Sequence, residues 1–191
     1  MSGTSLDGLD LICASFEKKD VWEFEIIKAT TYSYSDHWKN ALAKLHKQYP
    51  IKIQKTEDEY VHLMGRNILD FTKDLQDIDF VCSPGHTVFH KPDQGITLQI
   101  GNTANLSTLI NHPVICDFRT QDVALGGQGA PLVPVGDLHL FGSYSACLNL
   151  GGFANVSKKG KNIVTAYDIC AVNTVLNKLA GEKGLEYDFN D

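Results

Sequence analysis

A chain of 191 residues is long enough for one large hydrophobic core or two modest ones. Its 43% hydrophobic and 21% charged residues are ordinary globular proportions and exclude a disordered or fibrous chain. The formal charge of -6 is spread without a basic cluster, so a general nucleic-acid binder is excluded: neutralising phosphates takes grouped Lys and Arg.

Asp7 and Asp10 stand where a secretion signal would carry positive charge, and no apolar run approaches the ~20 residues of a membrane span. The expectation is a cytoplasmic protein without a membrane partner. The five cysteines are far apart and lack Cys-x-x-Cys spacing, which predicts buried free thiols in place of a zinc or redox site.

Leu9–Phe16 is apolar and Trp22–Thr31 alternates, so the two read as strands joined by a charged turn, the start of an antiparallel sheet. Trp38, Leu42, Leu45 and His46 then recur at helical spacing, with Ser35 as cap and Pro50 beyond the end. A second helix is predicted over residues 56–75, with Thr56 and Glu59 as a capping box and Val61, Met64, Ile68, Leu69 and Phe71 as its apolar stripe.

Short strands are predicted at Phe80–Ser83, Ile96–Ile100 and Val114–Asp117, with a helix over Thr103–Ile110 between the last two. That alternation implies an α/β layer with some parallel strands. The glycine-rich stretch Asp117–Pro134 reads as a loop leading into a helix near Val133–Phe141. After it the order begins again: strand Ala146–Leu150, a Gly-Gly turn, strand Asn155–Lys158, strand Asn162–Tyr167 and a helix from Val172. A duplicated hairpin plus α/β unit gives this pattern, dividing the chain into residues 1–144 and 145–191.

Gly3-Thr4-Ser5-Leu6-Asp7-Gly8 sets two hydroxyls and a carboxylate between glycines. Such a turn can cradle phosphate oxygens on backbone N–H groups while Asp7 orients Mg²⁺ directly or through water; taken alone, it reads more readily as an ordinary polar hairpin. Gly151 and Gly152 lie in a second such turn, and two hairpins facing one another could grip one polyphosphate. Asp168, at the end of the third strand of the second unit, is either a general base or the N-cap of the following helix. Asp117, Arg119, Asp122 and Gln128 gather polar groups in one loop as a polyol pocket requires, although Asp117 with Arg119 also fits a structural ion pair. His86 and His90, placed on the loop after the Phe80 strand, could join that pocket and lack a third partner for zinc.

Together MSGTSLDGLD (residues 1–10), GHTVFH (85–90), LQIGN (98–102), DFRTQDVALGGQGAPLVP (117–134), LNLGGFANVS (148–157) and YDICAVN (167–173) resemble the anhydro-N-acetylmuramic acid kinases, of the sugar kinase, actin and heat-shock ATPase superfold. The resemblance implies a ribonuclease H-like α/β domain of actin/hexokinase type with a mixed five-stranded sheet, followed by the start of a second similar domain. It implies a reaction of ATP and water with 1,6-anhydro-N-acetylmuramic acid to give N-acetylmuramic acid 6-phosphate, in recycling of cell-wall fragments.

On that resemblance Asp168 is the catalytic base. Ser2, Gly3, Thr4, Ser5, Leu6, Asp7, Gly8 and Leu9 form the ATP phosphate loop, with Gly151 and Gly152 in a second hairpin. His86, Asp117, Arg119, Asp122 and Gln128 lie on the sugar side. ATP and Mg²⁺ are the implied cofactors, the anhydro sugar the implied small-molecule partner, and a homodimer an open option. The alternatives are a kinase of the same superfold for another sugar, or a truncated or degenerate non-catalytic relative.

The chain departs from the family pattern in three places. Gly85-His86-Thr87 stands where the family usually reads Gly-Gln-Thr, which would alter a sugar contact. Asp168 is followed by Ile-Cys-Ala-Val, where a Gly-Pro-Gly type turn is usual, so a reshaped Asp168 loop is expected. The family continues well beyond residue 191, so the chain reads as a front portion that alone binds ATP poorly and is inactive.

Overall fold

The computed structural model describes residues 1–3, 5–130, 132–160 and 163–185. Thr4 of the expected phosphate loop, Pro131 and the first residue of the expected Asn162 strand therefore lie outside the described residues. The chain divides into two compact units, Met1–Ser15 with Glu25–Pro131, and Phe16–Phe24 with Leu132–Asp191.

The described strands form small, separate sheets within a mixed α/β architecture. Strand β1 (Gly8–Lys18) pairs with β2 (Trp22–Ser33), and the hairpin closes where the Lys19 N–H donates to the Val21 carbonyl at 3.0 Å. At its base, a Cβ on Gly8 would meet the Tyr32 carbonyl oxygen at 2.6 Å, so only glycine lets the two strands approach there.

Helix α1 (Asp36–Ala43) starts as expected, with Ser35 Oγ accepting the Trp38 N–H at 3.5 Å. The next helix differs. It is α2 (Pro50–Thr72), with Pro50 in its first turn, where a fixed φ and a missing N–H cost nothing. Thr56 is no cap: it is buried in mid-helix with its hydroxyl donating to the Lys52 carbonyl at 2.8 Å. The apolar stripe is largely as read, with Val61, Met64, Ile68 and Phe71 at 2–4% exposure, whereas Leu69 is 47% exposed. Leu69 is the immediate neighbour of Ile68, and a helix rotates consecutive side chains by about 100°.

Strands β3 (Val81–Ser83) and β6 (Val114–Cys116) pair in parallel, as the α/β alternation required. Between them the expected loop carrying His86 and His90 is a strand, β4 (His86–Lys91), antiparallel to β5 (Ile96–Ile100). Threonine, valine and phenylalanine at positions 87–89 supply its β propensity. Helix α3 (Ala104–Ile110) packs on α2 where Gly65 would place a Cβ 3.4 Å from Leu109. The core of the first unit gathers Leu9, Tyr34, Leu42, Leu45, Ile53, Tyr60, Val61, Met64, Ile68, Ile100, Leu106 and Ile110. The stretch after β6 holds an unexpected short helix, α4 (Thr120–Ala124), before the expected α5 (Leu132–Leu140).

In the second unit, β7 (Ala146–Leu150), β8 (Phe153–Lys159) and β9 (Val164–Ala171) form an antiparallel sheet ahead of α6 (Asn173–Glu182). The hairpin tip of this unit contributes Phe24, which meets Phe141 edge-on with ring centroids 5.9 Å apart. The cysteines are free thiols, but none is fully buried, and Cys82 on β3 and Cys170 on β9 are exposed. Among the described residues, no helix is long and apolar enough to cross a membrane.

The stripe on α2 gives a test. Replacing Ile68 by Ala removes buried methylenes and should cost about 2–4 kcal/mol, whereas Leu69→Ala should cost less than about 1. Urea unfolding of the two variants checks this, and equal losses would contradict the rotation of the helix.

Candidate functional site

The first turn of the chain is held from several sides. The Met1 ammonium donates to the Asp10 carbonyl, and the Asp10 N–H returns to the Met1 carbonyl at 2.8 Å, so the leading residues lie along β1. The Leu6 N–H closes the turn on the Gly3 carbonyl at 3.3 Å, and Leu6 takes a left-handed φ of 56°. The Asp7 carbonyl accepts the Tyr34 N–H at 3.0 Å, fixing the far end of the turn to the end of β2.

Within the turn, Asp7 Oδ1 accepts both the Ser5 hydroxyl at 2.7 Å and the Gly8 N–H at 3.0 Å. Its second oxygen accepts no hydrogen bond among the described residues, which leaves that oxygen open to a cation. Among the described residues, no group of three or more His, Cys, Asp or Glu could cage a metal. A cation whose remaining ligands come from water and substrate phosphates is therefore the kind this turn fits.

Beneath the turn runs a chain of hydroxyls that the sequence reading did not foresee. Tyr34 Oη donates to Ser2 Oγ at 2.7 Å, Tyr34 and Tyr60 share a hydrogen bond of 2.8 Å, and Ser2 Oγ lies 2.9 Å from His86 Nδ1. Tyr60 is wholly buried, with its ring against those of Trp38 and His86. Burial raises the ionisation of both tyrosines above its ordinary value, so they stay as O–H donors. His86 is 5% exposed, and burial pushes its imidazole down to about 4. The single sign of Tyr60 in the sequence was its place on the core stripe of α2.

The sugar-side candidates divide. Asp117 is exposed with a left-handed φ of 57°, and its Oδ1 accepts the Thr120 hydroxyl at 2.6 Å at the start of α4. Asp117 also borders a polar cavity of about 180 Å³ shared with Glu57, Thr97, Gln99, Asn102 and Thr120. Asn102 Oδ1 is buried without a hydrogen-bond partner among the described residues, and burial raises the Glu57 carboxyl above its ordinary range. Glu57 on α2 is far in sequence from Gln99 on β5 and Asn102 just after it, and no local pattern joins them as a site.

Arg119 is half-buried, its guanidinium lowered by desolvation, and it makes no ion pair with Asp117. Asp122 works on the loop itself: its Oδ2 accepts the Gly129 N–H at 2.6 Å, while Gly127 donates to its carbonyl at 2.8 Å. Gly129 has a φ of 70° and a Cβ there would strike His90 at 2.9 Å, so this closure requires glycine. Gln128 is exposed between these two glycines, and His90 lies on β4 with Nδ1 3.3 Å from Thr97 Oγ1.

In the second unit, the Gly151-Gly152 turn is bound to the start of α6. The Gly152 carbonyl accepts the N–H groups of Val172 and Thr174 at 2.9 and 3.3 Å, and the Gly151 carbonyl accepts that of Asn173 at 3.2 Å. The first N–H groups of α6 are thus consumed by the turn, which leaves the turn's own backbone as the source of donors for an anion.

Asp168 is not the N-cap of α6; Val172 holds that position. It lies exposed within β9, opposite Asn155, and the strand continues to Ala171 because Ile169, Cys170 and Ala171 tolerate extended backbone. The register passes from Asn155 opposite Asp168 to Ala154 opposite Cys170, so Ile169 is the extra residue of a bulge. A bulge next to a carboxylate alters the direction in which it is presented.

Comparison with known proteins adds a family. The model for "Anhydro-N-acetylmuramic acid kinase" matches residues 1–191. Curated proteins of that name are similar: that of Prochlorococcus marinus (strain MIT 9211) is 37% identical over 172 residues, covering 82% of this chain and 44% of the relative. That of Methylobacterium nodulans is 34% identical, covering 96% of this chain and 56% of the relative. That of Zymomonas mobilis is 35% identical, covering 98% and 57%. The chain spans about half the length of the curated relatives it matches.

The buried imidazole sets a pH dependence. The folded state keeps His86 neutral down to about 4 while the unfolded chain protonates near the ordinary 6.5, so between these values the unfolded state binds more protons and stability falls as pH falls. Between pH 7 and pH 5 the loss due to His86 should be about 2 kcal/mol and should be absent in His86→Gln. Urea unfolding followed by Trp38 fluorescence in a Trp22→Phe background measures it, and parallel pH profiles for the two proteins would contradict it.

Proposed function

The chain belongs to the anhydro-N-acetylmuramic acid kinase family, and on that premise we propose that it is the front portion of an ATP-dependent kinase acting on 1,6-anhydro-N-acetylmuramic acid. The family match over residues 1–191 carries this reading. The first turn, Ser2 to Leu9, binds the ATP phosphates through its backbone and hydroxyls, and Asp7 meets the accompanying Mg²⁺. Gly151 and Gly152 supply a second set of backbone donors. Asp117, Arg119 and Gln128 serve the sugar, with Asp122 holding their loop closed.

Asp168 is the general base. It takes a proton from water as the water oxygen attacks the anomeric carbon; the bond from that carbon to the bridging oxygen breaks, and the freed oxygen at C6 takes the γ-phosphoryl group as ADP departs. Its exposure in β9 supports a role at the surface of a cleft over one inside a core. The product is N-acetylmuramic acid 6-phosphate, which places the enzyme in amino-sugar metabolism and peptidoglycan recycling, in the cytoplasm, with a homodimer as its proposed assembly.

Residues 1–144 and 145–191 are proposed as one actin-like domain and the start of another. The β1–β2 hairpin and the parallel β3–β6 pair support the ribonuclease H-like plan with a five-stranded sheet.

The test is phosphotransfer by the full-length gene product. Asp168→Asn should lower kcat about a thousandfold while sugar binding persists, and in ¹⁸O water the label should enter at C1 of the product. Unchanged turnover in the variant would remove Asp168 from the mechanism. Turnover of another sugar with none of the anhydro sugar would select a different kinase of the superfold, and no turnover of any sugar a non-catalytic relative.

A further inference from the structure

The hydroxyl chain under the first turn has a definite proton count. Tyr34 gives its one O–H to Ser2 Oγ, so the hydrogen bond between the tyrosines must be donated by Tyr60. Ser2 Oγ, 2.9 Å from His86 Nδ1, then has two arrangements. If Nδ1 is bare, the Ser2 proton is spent on the imidazole. If Nδ1 carries the imidazole proton, Ser2 Oγ accepts from both Tyr34 and His86, and its own O–H leaves the imidazole for Tyr60 Oη, within its reach, or for an outside acceptor.

We propose that His86 is a positioning residue for the nucleotide: by donating from Nδ1 to Ser2 Oγ it releases the Ser2 hydroxyl toward a phosphate oxygen, and it makes no contact with the sugar. Three observations support the assignment. His86 is 5% exposed, too little for a sugar-contacting side chain. Its ring is held by Tyr60, with centroids 6.2 Å apart, so its Nδ1 has a fixed direction. Ser2 is pinned by Tyr34 on its other side, so a change at His86 redirects one proton without moving the loop.

This inference rests on the reading of Ser2 to Leu9 as a phosphate loop. When phosphate arrives, the imidazole stays neutral and exchanges its proton through solvent from Nε2 to Nδ1, while the Ser2 O–H turns from the ring to the phosphate. No net proton is gained or lost.

The experiment titrates the full-length gene product with Mg·ATP to millimolar concentration, following the amides of Gly3 and residues 5–8 and the ¹⁵N signals of His86. The expected result is a shift of His86 from the Nε2–H to the Nδ1–H form on saturation. His86→Ala should raise the nucleotide concentration needed by about tenfold, and His86→Gln, whose amide N–H can replace the donor, should restore it to within about twofold. His86→Asn, too short to reach, should not. In a Ser2→Ala background the two His86 amide variants should differ no further.

Titration with the anhydro sugar, followed on residues 120–129, should be the same in all His86 variants. An unchanged tautomer on saturation, equal nucleotide affinity for Gln and Asn at position 86, or a sugar affinity that follows His86 would overturn the inference alone. Loop amides of the unmodified chain that do not respond to Mg·ATP would overturn the phosphate-loop reading and the inference with it.

Discussion

The hydrogen bonds joining Tyr60, Tyr34, Ser2 and His86 are the constraint on which the first unit depends. They tie together four parts of the chain: α2, the end of β2, the leading turn and β4. The three hydroxyls and His86 Nδ1 each find a partner within the group, so they can sit against the apolar core without the cost of an orphaned hydroxyl. Tyr60 is also a core residue by packing, between Trp38 and His86. The glycine-containing turn thereby gains a hydrogen-bonded floor. That is the requirement for backbone N–H groups that are to meet a phosphate without reorganising.

In the second unit, local order around the Gly151-Gly152 turn rests on backbone hydrogen bonds. The Gly151 and Gly152 carbonyls hold the first N–H groups of α6, and the bulge at Ile169 sets the presentation of Asp168 next to it in sequence. A Gly-Pro-Gly turn would have ended the strand after the aspartate. Ile-Cys-Ala instead prolongs it to Ala171 in pairing with β8, which is the reshaping that the missing glycines predicted.

Much of this was legible in the sequence because it follows from periodicity. Ser35 capped its helix, Ile96–Ile100 and Ala146–Leu150 were strands over the residues expected, and β3 and β6 ran parallel. The errors arose where two local signals competed. Pro50 reads as a stop after one helix and equally as the first residue of the next, and Thr56 resembles a cap although its hydroxyl can satisfy itself on the Lys52 carbonyl. His86 was read as a residue of the loop after the Phe80 strand, which suggested a place in the polar pocket. Its burial depends on Tyr60 and Ser2, separated from it along the chain, and no local pattern reports such a meeting. The carboxylates of the Asp117–Pro134 stretch looked alike in sequence, yet Asp122 braces its own loop while Asp117 borders the polar cavity.

The central claim is that the leading turn, held on its hydroxyl floor, receives the nucleotide phosphates. Paramagnetic broadening by Mn·ATP tests it most directly, because the effect falls steeply with distance from the metal. The amides of Gly3 and residues 5–9 should broaden before any others in the first unit, and those at the Lys73 end of α2 should stay sharp. Broadening that spares the turn, or that spreads evenly through the unit, would contradict the account.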